Sequence, residues 1–361
     1  MSKKKKNYYN KKGMSPETKD KLKTGFATIL SNEACVKASR EWKGGLNAIP
    51  VVLAFVSVIL ALVPSFVSQM NVRGSSTVFA TPYSNADVGL SSFTYRLNHD
   101  ELGNKVAEAD IVHVSFNDQG ELVVKNIDKL YATEVELTYP WYIDKDPATE
   151  KPAFEVFFNA GFAEEVTDTD FFTRLSKGQR PDNGKERTAG NTVPETSYLA
   201  FGKQSVVFYK KAANVGLTGS YESLKGKDVL DFAPAETVPY TSYEYVNQAI
   251  TKWSEFIDLS YNNIKIAGTW RFTGIMALVD FGMILFFGLI LFVMTRGKNN
   301  PFRVVNYWEA SKMAAWASFT PAVLALIVGF MLPQFSYLIF MFAYGMRLMW
   351  LSMKSLRPLP R

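Results

Sequence analysis

Residues 272–294 read FTGIMALVDFGMILFFGLILFVM, and this stretch decides the class of fold. It holds a single charged residue, Asp280, among 23 residues. A bilayer hydrocarbon core is about 30 Å thick and needs about 20 apolar residues in a helix. Only a helix or a closed barrel satisfies the backbone in that environment. The stretch therefore predicts a membrane-spanning helix.

Three further apolar stretches have a similar length and composition, at residues 46–70, 313–332 and 335–353. The second of these has no charged residue, and the third has one, Arg347. Pro64, near the end of the first, predicts a kink of the kind that neighbouring helices tolerate. Together the four stretches predict four membrane helices.

The predicted fold class is an α+β membrane protein, in which a β-rich extracytoplasmic domain is inserted between transmembrane helices 1 and 2 of four. That domain is large enough to have a core of its own. In chain order the predicted parts are a disordered basic tail (1–14), cytoplasmic or interfacial amphipathic helices (15–45), the first span (46–70), the extracytoplasmic domain (71–270) ending in an amphipathic helix (241–262), the second span (272–294), a cytoplasmic loop (295–312), the third span (313–332), the fourth span (335–353) and a cytoplasmic tail (354–361).

The charge distribution predicts the topology. Residues 71–270 carry 19 Lys and Arg against 28 Asp and Glu, a net charge of −9, whereas the remaining 161 residues carry a net charge of +15. Basic residues gather on the cytoplasmic flanks of membrane spans. Both termini are therefore expected in the cytoplasm and residues 71–270 outside. No A-x-A-like cleavage site follows the first span, so we expect it to be an uncleaved signal anchor.

Composition narrows the setting further. The only cysteine, Cys35, excludes an intramolecular disulfide. The basic residues crowd the membrane flanks, so the net charge of +6 does not predict specific nucleic-acid binding. A lysine-rich, cysteine-poor chain without an N-x-S/T sequon favours a bacterial plasma membrane. The expected partners are the lipid bilayer and another membrane protein.

The extracytoplasmic stretch reads as β-rich. Residues 111–116 and 121–125 flank the turn cluster Asn-Asp-Gln-Gly and predict a hairpin. Alternation predicts a half-buried strand over 130–139. Further strands are expected at 153–158, 198–201 and 205–209, and an exposed loop at 176–196.

Two helices outside the spans have distinctive faces. From Pro16 onward a basic helix carries four apolar residues on one side, which predicts a helix lying in the membrane interface. Those residues are Leu22, Phe26, Ile29 and Leu30. Asn32 is expected to cap a second short helix that reaches Trp42.

The second distinctive helix follows Thr241, which with Glu244 resembles a capping box. Its apolar seam consists of Tyr243, Val246, Ile250, Trp253 and Ile257, at spacings of 3, 4, 3 and 4. The seam predicts packing on the sheet, and the alternative is a surface that fills a partner's groove.

The sequence predicts no catalytic, cofactor-binding or metal-binding residues. The two histidines, His99 and His113, lack the spacing of a zinc site, and no phosphate-binding or nucleophile motif is present. The acidic run at 164–170 offers oxygen ligands for calcium but lacks the EF-hand glycine and spacing. A solvated acidic loop is the preferred interpretation.

Asp280 and Arg347 are the two charged residues inside predicted spans. Ionisable residues in lipid are costly and mark functional sites by default. Counted from the outer ends of their spans, their depths differ by roughly 6 Å. One hypothesis is that they form an intramembrane polar pair. The alternative is that Arg347 snorkels to the cytoplasmic headgroups and Asp280 bonds to a hydroxyl or a water.

Residues 306–321, NYWEASKMAAWASFTP, resemble a family pattern. A basic, aromatic loop is followed by a helix with small residues, and the motif Ser-x-Thr-Pro stands at the start of the apolar span that comes next. The stretch is similar to the DUF1189 family of bacterial membrane proteins, relatives of the Yip1-like group, and residues 32–64 and 198–211 are similar too. The resemblance implies one span, an outer domain and three further spans. Some members are associated with maltodextrin utilisation, which would imply an accessory of a sugar transporter.

These features predict a non-enzymatic accessory subunit of a plasma-membrane complex, either a transporter or the protein secretion and insertion machinery. Its outer domain would act as a recognition surface. The alternative is a transport or channel subunit with a polar intramembrane path through Asp280 and Arg347. An enzyme acting on lipid or wall precursors is a third possibility, and it would need a cluster of acid–base residues that only folding could assemble.

Overall fold

The computed structural model describes residues 16–42, 47–79, 85–100, 102–127, 129, 138–141, 154–159, 166–177, 180–182, 185–187, 197–210, 214–240, 242–298 and 300–356. The predicted tail at 1–14 lies outside them. The chain divides into two compact units. The helical unit comprises Met1–Asn71 and Thr269–Arg361, and the sheet unit comprises Val72–Gly268. The fold is a mixture of α-helices and β-sheets, as predicted.

The described helices, in chain order, are α1 (Pro16–Ala27), α2 (Asn32–Glu41), α3 (Ala48–Asn71), α4 (Gly74–Val78), α5 (Asn85–Arg96), α6 (Asp168–Ser176), α7 (Tyr243–Met294), α8 (Tyr307–Gly329) and α9 (Ser336–Trp350). A π-helical turn, Leu351–Ser355, continues α9. Ser31 caps α2 by accepting from the Ala34 N–H, one residue before the predicted cap at Asn32.

Four helices of the described chain are long and apolar enough to cross a membrane, judged by length and composition: Ala48–Asn71, Tyr243–Met294, Tyr307–Gly329 and Pro333–Ser355. They are compatible with the predicted multi-pass membrane protein. Within the first, Pro64 lies inside a helix that continues to Asn71. The third begins at Tyr307, inside the stretch predicted as a loop, because Asn306 and Glu309 form a capping box there.

One boundary differs clearly from the prediction. The helix expected at 241–262 and the span expected at 272–294 are parts of one continuous 52-residue helix, α7. At 1.5 Å per residue it is about 78 Å long. The intervening stretch contains no proline and one glycine, Gly268. An isolated glycine costs about 1 kcal/mol in a helix, which is too little to end one of this length.

Small residues allow close packing within the helical unit, as is usual in membrane bundles. Gly288 of α7 lies against Ser311 of α8, where an added Cβ would come within 2.8 Å of the serine Cα. Ser318 of α8 donates to Ser57 of α3 over 2.9 Å. The buried core of this unit includes Ala54, Ala61, Ala314, Ala317 and Ala325.

The strands of the sheet unit are β1 (His113–Phe116), β2 (Leu122–Lys125), β3 (Thr138–Trp141), β4 (Phe154–Phe158), β5 (Arg180–Asp182), β6 (Lys185–Arg187), β7 (Ser197–Phe201), β8 (Ser205–Lys210) and β9 (Val215–Ser220). β1 and β2 form an antiparallel pair. The largest described sheet has the order β3-β4-β7-β8-β9. Its β4–β7 pair is parallel and its other pairs are antiparallel.

The hairpin predicted at 111–125 and the strands predicted at 198–201 and 205–209 are confirmed, and the last two strands pair with each other. Of the strand predicted at 130–139, residues 130–137 lie outside the described range. The loop predicted at 176–196 is wrong in part, because β5 pairs with β6. Asn183 and Gly184 stand between those two strands. Asn-Gly is a strong hairpin signal, which the polar composition of the stretch obscured.

Side chains from both faces of the sheet are buried. On one face Phe154, Val156 and Phe158 join a cluster with residues of α5 and α7. On the other face Phe157 packs with Phe171 and Leu175 of α6. Alternate residues of β4 thus enter different cores, as the two-residue period of a strand requires.

The predicted seam of α7 is displaced around the helix. Trp253 and Ile257 are fully buried, whereas Tyr243 is 81% exposed. The buried face instead continues through Phe256, Ala249 and Tyr245. Because each residue turns a helix by about 100°, the true seam is rotated by about 60° from the predicted one. Thr241 lies outside the described residues, and Ser242 caps the helix by accepting from the Tyr245 N–H.

Candidate functional site

In the described helical unit, the Arg347 side chain is the charged group with the most hydrogen bonds. Its Nε donates to Asn32 Oδ1 over 3.2 Å. Nη1 donates to the Ala317 carbonyl over 3.0 Å and to Thr320 Oγ1 over 2.7 Å. Nη2 donates to the Thr28 carbonyl over 2.5 Å and lies 3.8 Å from Cys35 Sγ. A guanidinium has five N–H donors, and here each has an acceptor.

These acceptors come from three elements that the local sequence holds in place. Thr28 follows the end of α1, so its carbonyl lies at the negative end of that helix dipole. Asn32 and Cys35 occupy the first turn of α2, and Cys35 is fully buried. Ala317 and Thr320 lie on α8. Arg347 therefore fastens the α1–α2 pair to α8 and α9.

Two further contacts support this arrangement. Thr320 donates its hydroxyl to the Ile29 carbonyl in the turn between α1 and α2. The Trp42 ring, just after α2, meets the Trp316 ring edge-on with centroids 5.0 Å apart. Gly25 of α1 lies against Trp42, where an added Cβ would come within 2.9 Å of the Trp42 ring.

Asp280 occupies a different environment. It is 2% exposed, and its Oδ2 atom has no hydrogen-bond partner in the structure. No contact between the described Asp280 and Arg347 side chains forms, so the hypothesis of a direct pair is wrong. The reason is their offset along the bundle. A Cβ added at Gly345 of α9 would lie 3.7 Å from the Phe287 ring of α7, so these two residues are at the same level. Asp280 lies seven residues before this level and Arg347 two residues after it, about 14 Å apart along the bundle.

The four residues predicted to form an interfacial surface divide in the structure. Leu22, Phe26 and Leu30 are exposed, by 43%, 70% and 88% respectively. Ile29 is half-buried. On the opposite side of α1, Thr24 and Thr28 are buried against the protein.

The histidines and acidic residues of the sheet unit make local contacts. His113 Nδ1 lies 3.1 Å from Asp228 Oδ2. Asp168 accepts from the backbone N–H groups of Lys203 and Gln204 and from the Ser205 hydroxyl, so it ties down the turn between β7 and β8. Residues 164 and 165 of the predicted acidic run lie outside the described range. In the part of the chain that is described, no three His, Cys, Asp or Glu residues converge on a metal site.

An open cleft of about 390 Å³ lies in the sheet unit, between the end of α5, the stretch 230–238 and the start of α7. Aromatic rings form one wall. Tyr95 stacks on His99 at 3.8 Å between centroids and on Tyr240 at 4.0 Å. The Tyr245 ring stands edge-on to Tyr95. This wall combines apolar faces with polar edges, which suits recognition of a partly polar ligand.

The rim of the cleft carries both signs of charge. Lys105 Nζ lies 2.5 Å from Glu236 Oε2, and both side chains are more than half exposed. The hydrogen bond from Lys105 lowers the pKa of Glu236, so this carboxylate is ionised at neutral pH. His99 Nδ1 faces two acceptors, the Tyr95 carbonyl and Asn98 Oδ1, and therefore carries the proton in the neutral ring. Burial raises the pKa of the Tyr245 phenol, which remains neutral.

Sequence reasoning missed both the cleft and the partners of Arg347. The cleft is assembled from segments near residues 95, 105, 235 and 245, and no local pattern links them. The acceptors of Arg347 lie about 30 and more than 300 residues away along the chain. The only local signal was the charge of Arg347 within an apolar stretch. It identified Arg347 as a candidate functional residue but did not identify its hydrogen-bond acceptors.

Comparison of the chain with known proteins finds no matching family model, no similar curated protein and no similar solved structure.

Proposed function

We propose that this protein is a non-enzymatic accessory subunit of a plasma-membrane complex, in which the sheet unit recognises the partner. The cleft beside Tyr95 carries the proposal. It is open and has an aromatic wall and a rim with both charges. Aromatic residues and paired charges of this kind suit recognition of a partner surface.

The proposal includes the predicted topology. The β-rich domain would stand between the first and second spans on the outer side of the plasma membrane, with both termini in the cytoplasm. The positive charges on the flanks of the spans support this orientation. The DUF1189-like stretch at 306–321 supports a bacterial protein of this layout, and a transporter of sugars is one candidate partner.

The test is co-purification from the native membrane in a mild detergent, with two matched variants. Lys105→Glu reverses a charge in the cleft rim. Lys225→Glu reverses a lysine that is also paired with a carboxylate, Glu222 at 2.6 Å, but does not line the cleft. A stoichiometric partner that is lost with Lys105→Glu and retained with Lys225→Glu would support the proposal.

Two outcomes would contradict it. A partner retained in both variants would move recognition away from the cleft. A lone monomer or homo-oligomer in the wild type would refute the accessory role.

The transport or channel alternative rests on one observation, the buried and unpartnered Oδ2 of Asp280. A polar path that also includes Arg347 is disfavoured by geometry, because all five of its N–H groups already have protein acceptors. Ion or solute flux in liposomes that disappears with Asp280→Asn would favour this alternative.

A further inference from the structure

We propose that α1 and α2 form a re-entrant hairpin, whose tip (residues 28–31) lies within the hydrocarbon layer and whose exposed Phe26 and Leu30 contact lipid acyl chains. Arg347 anchors this tip. The inference concerns the helical unit and does not depend on the proposed recognition function.

The depth of the tip follows from its contacts on α8 and α9. Thr320, which bonds to the tip, lies eight residues after Lys312 on α8, a rise of about 12 Å. Lys312 itself donates to Asn47 at the start of α3, so it marks one end of the bundle. Arg347 lies seven residues before Lys354, a rise of about 10 Å. Because half a hydrocarbon core is about 15 Å, the tip lies well below the polar boundary.

The course of α2 agrees with this depth. At the tip, Asn32 contacts Arg347. Eight residues later, the Arg40 guanidinium lies 6.0 Å from the Phe302 ring, in the connection between α7 and α8. Eight helical residues rise about 12 Å. The helix therefore leads from mid-leaflet back to the end from which α8 starts.

Three carbonyl groups at the tip and just before it accept from protein donors, as a lipid environment demands. The Thr28 carbonyl accepts from Arg347, and the Ile29 carbonyl accepts from Thr320. The Ala27 carbonyl accepts from the N–H groups of the next turn. Irregular backbone at membrane depth is tolerated only where protein groups satisfy it. A loop on a water-exposed surface would have no need of a buried guanidinium.

The exposed side of the hairpin identifies what covers it. Phe26 and Leu30 are 70% and 88% exposed, while Thr24 and Thr28 face the protein. On this side of the hairpin the two apolar residues face outward and the two hydroxyls face inward, the reverse of a water-facing helix; the exposed charges nearest the tip are Lys23 before it and Glu33 two residues after it. At the depth derived above, acyl chains are the surrounding medium. Lys23, about 8 Å before the tip along the helix, is long enough to snorkel to the headgroups.

The experiment measures the depth of three positions along α1 in full-length protein reconstituted into liposomes. Leu22, Phe26 and Leu30 are replaced singly by cysteine in a Cys35→Ser background and labelled with a nitroxide. Collision with oxygen and with a polar nickel chelate reports depth. Labels at Leu324, exposed on a predicted span, and at Val304, exposed in the connection between α7 and α8, give the lipid and interface references.

A re-entrant hairpin predicts that depth increases from Leu22 to Leu30, by up to about 12 Å over eight residues. Equal depths at the three positions would show a helix lying in the interface and overturn the proposal. Low collision with both reagents at Phe26 and Leu30 would show that protein, a second copy or a partner, covers them instead of lipid.

The anchoring role is tested with the label at Leu30. Arg347→Met removes every donor, and Arg347→Lys keeps the charge but loses the forked geometry. We expect the label to move toward water in the methionine variant and less far in the lysine variant. An unchanged label at Leu324 verifies that the bundle is intact. A Leu30 label that remains deep in Arg347→Met would refute the anchor.

Discussion

Replacing Gly219 by alanine tests the packing of α7 on the sheet. Gly219 lies in β9, opposite Val206 of β8. A Cβ added there would lie 2.5 Å from Ser260 Oγ, 2.8 Å from Ser260 Cβ and 3.0 Å from Val206 Cγ1. Ser260 belongs to α7 and is 1% exposed. The methyl group would therefore force the helix and the strand apart.

The same strand supplies a matched control. At Gly216 an added Cβ would have as its nearest neighbour the Phe208 carbonyl oxygen, at 4.0 Å. Replacing glycine by alanine within a strand stabilises the folded protein by about 0.5–1 kcal/mol when there is space for the methyl group. Overpacking a filled core costs about 1–3 kcal/mol. We expect Gly219→Ala to lower the free energy of unfolding by about 1–2 kcal/mol and Gly216→Ala to raise it slightly.

The measurement is thermal unfolding of the full-length protein in detergent, monitored by the susceptibility of the sheet unit to proteolysis. For a domain of this size, 1 kcal/mol corresponds to a shift of about 2–4 °C in Tm. Adding Ser260→Ala removes the contact with Oγ but leaves the contact with Cβ, so it should restore part of the loss. Equal stability of the two glycine variants would show that α7 does not approach β9 as described.

Three other predictions follow from named contacts. Asp280→Asn should leave folding and partner binding unchanged if the accessory role holds, because the carboxylate Oδ2 makes no hydrogen bond; loss of the partner from folded protein would contradict that role. Trp253→Phe should cost about 1–3 kcal/mol in a urea titration, because it removes the 2.8 Å bond from Nε1 to Thr94 Oγ1; an unchanged midpoint would count against this bond. Lys105 lowers the pKa of Glu236. The stabilisation from this pair is therefore complete above the unfolded pKa near 4.5 and is lost as the pH falls through the lower folded pKa. Carboxyl titration by NMR should show a higher pKa for Glu236 in Lys105→Met than in the wild type.

Local patterns predicted several of the strands, although β9 (Val215–Ser220) was not among them. The hairpin around residues 117–120 and the strand pair around 202–204 were predictable because turn residues and alternation act over a few neighbours. The Asn-Gly signal at 183–184 was equally local and was outweighed by the polar composition around it. The continuity of α7 was harder to predict, since it depends on the absence of a breaker, and a change from amphipathic to apolar character looked like a boundary.

The seam of α7 shows where periodicity loses precision. Spacings of 3 and 4 allow more than one apolar stripe on the same helix, and the sequence contains two that overlap at Trp253 and Ile257. The sheet decides between them, because its buried side chains contact Phe256 and leave Tyr243 outside.

The sequence by itself determined the candidate membrane helices, the mixed α and β composition and the prominence of Asp280 and Arg347. These depend on hydropathy, period and charge, which are properties of neighbours along the chain. The tertiary structure alone decided that Arg347 bonds to the α1–α2 turn, that Asp280 lies too far along the bundle to reach it, and that a cleft forms beside Tyr95. Each of these depends on how helices and strands distant in the chain approach one another, and packing, not local pattern, sets that approach.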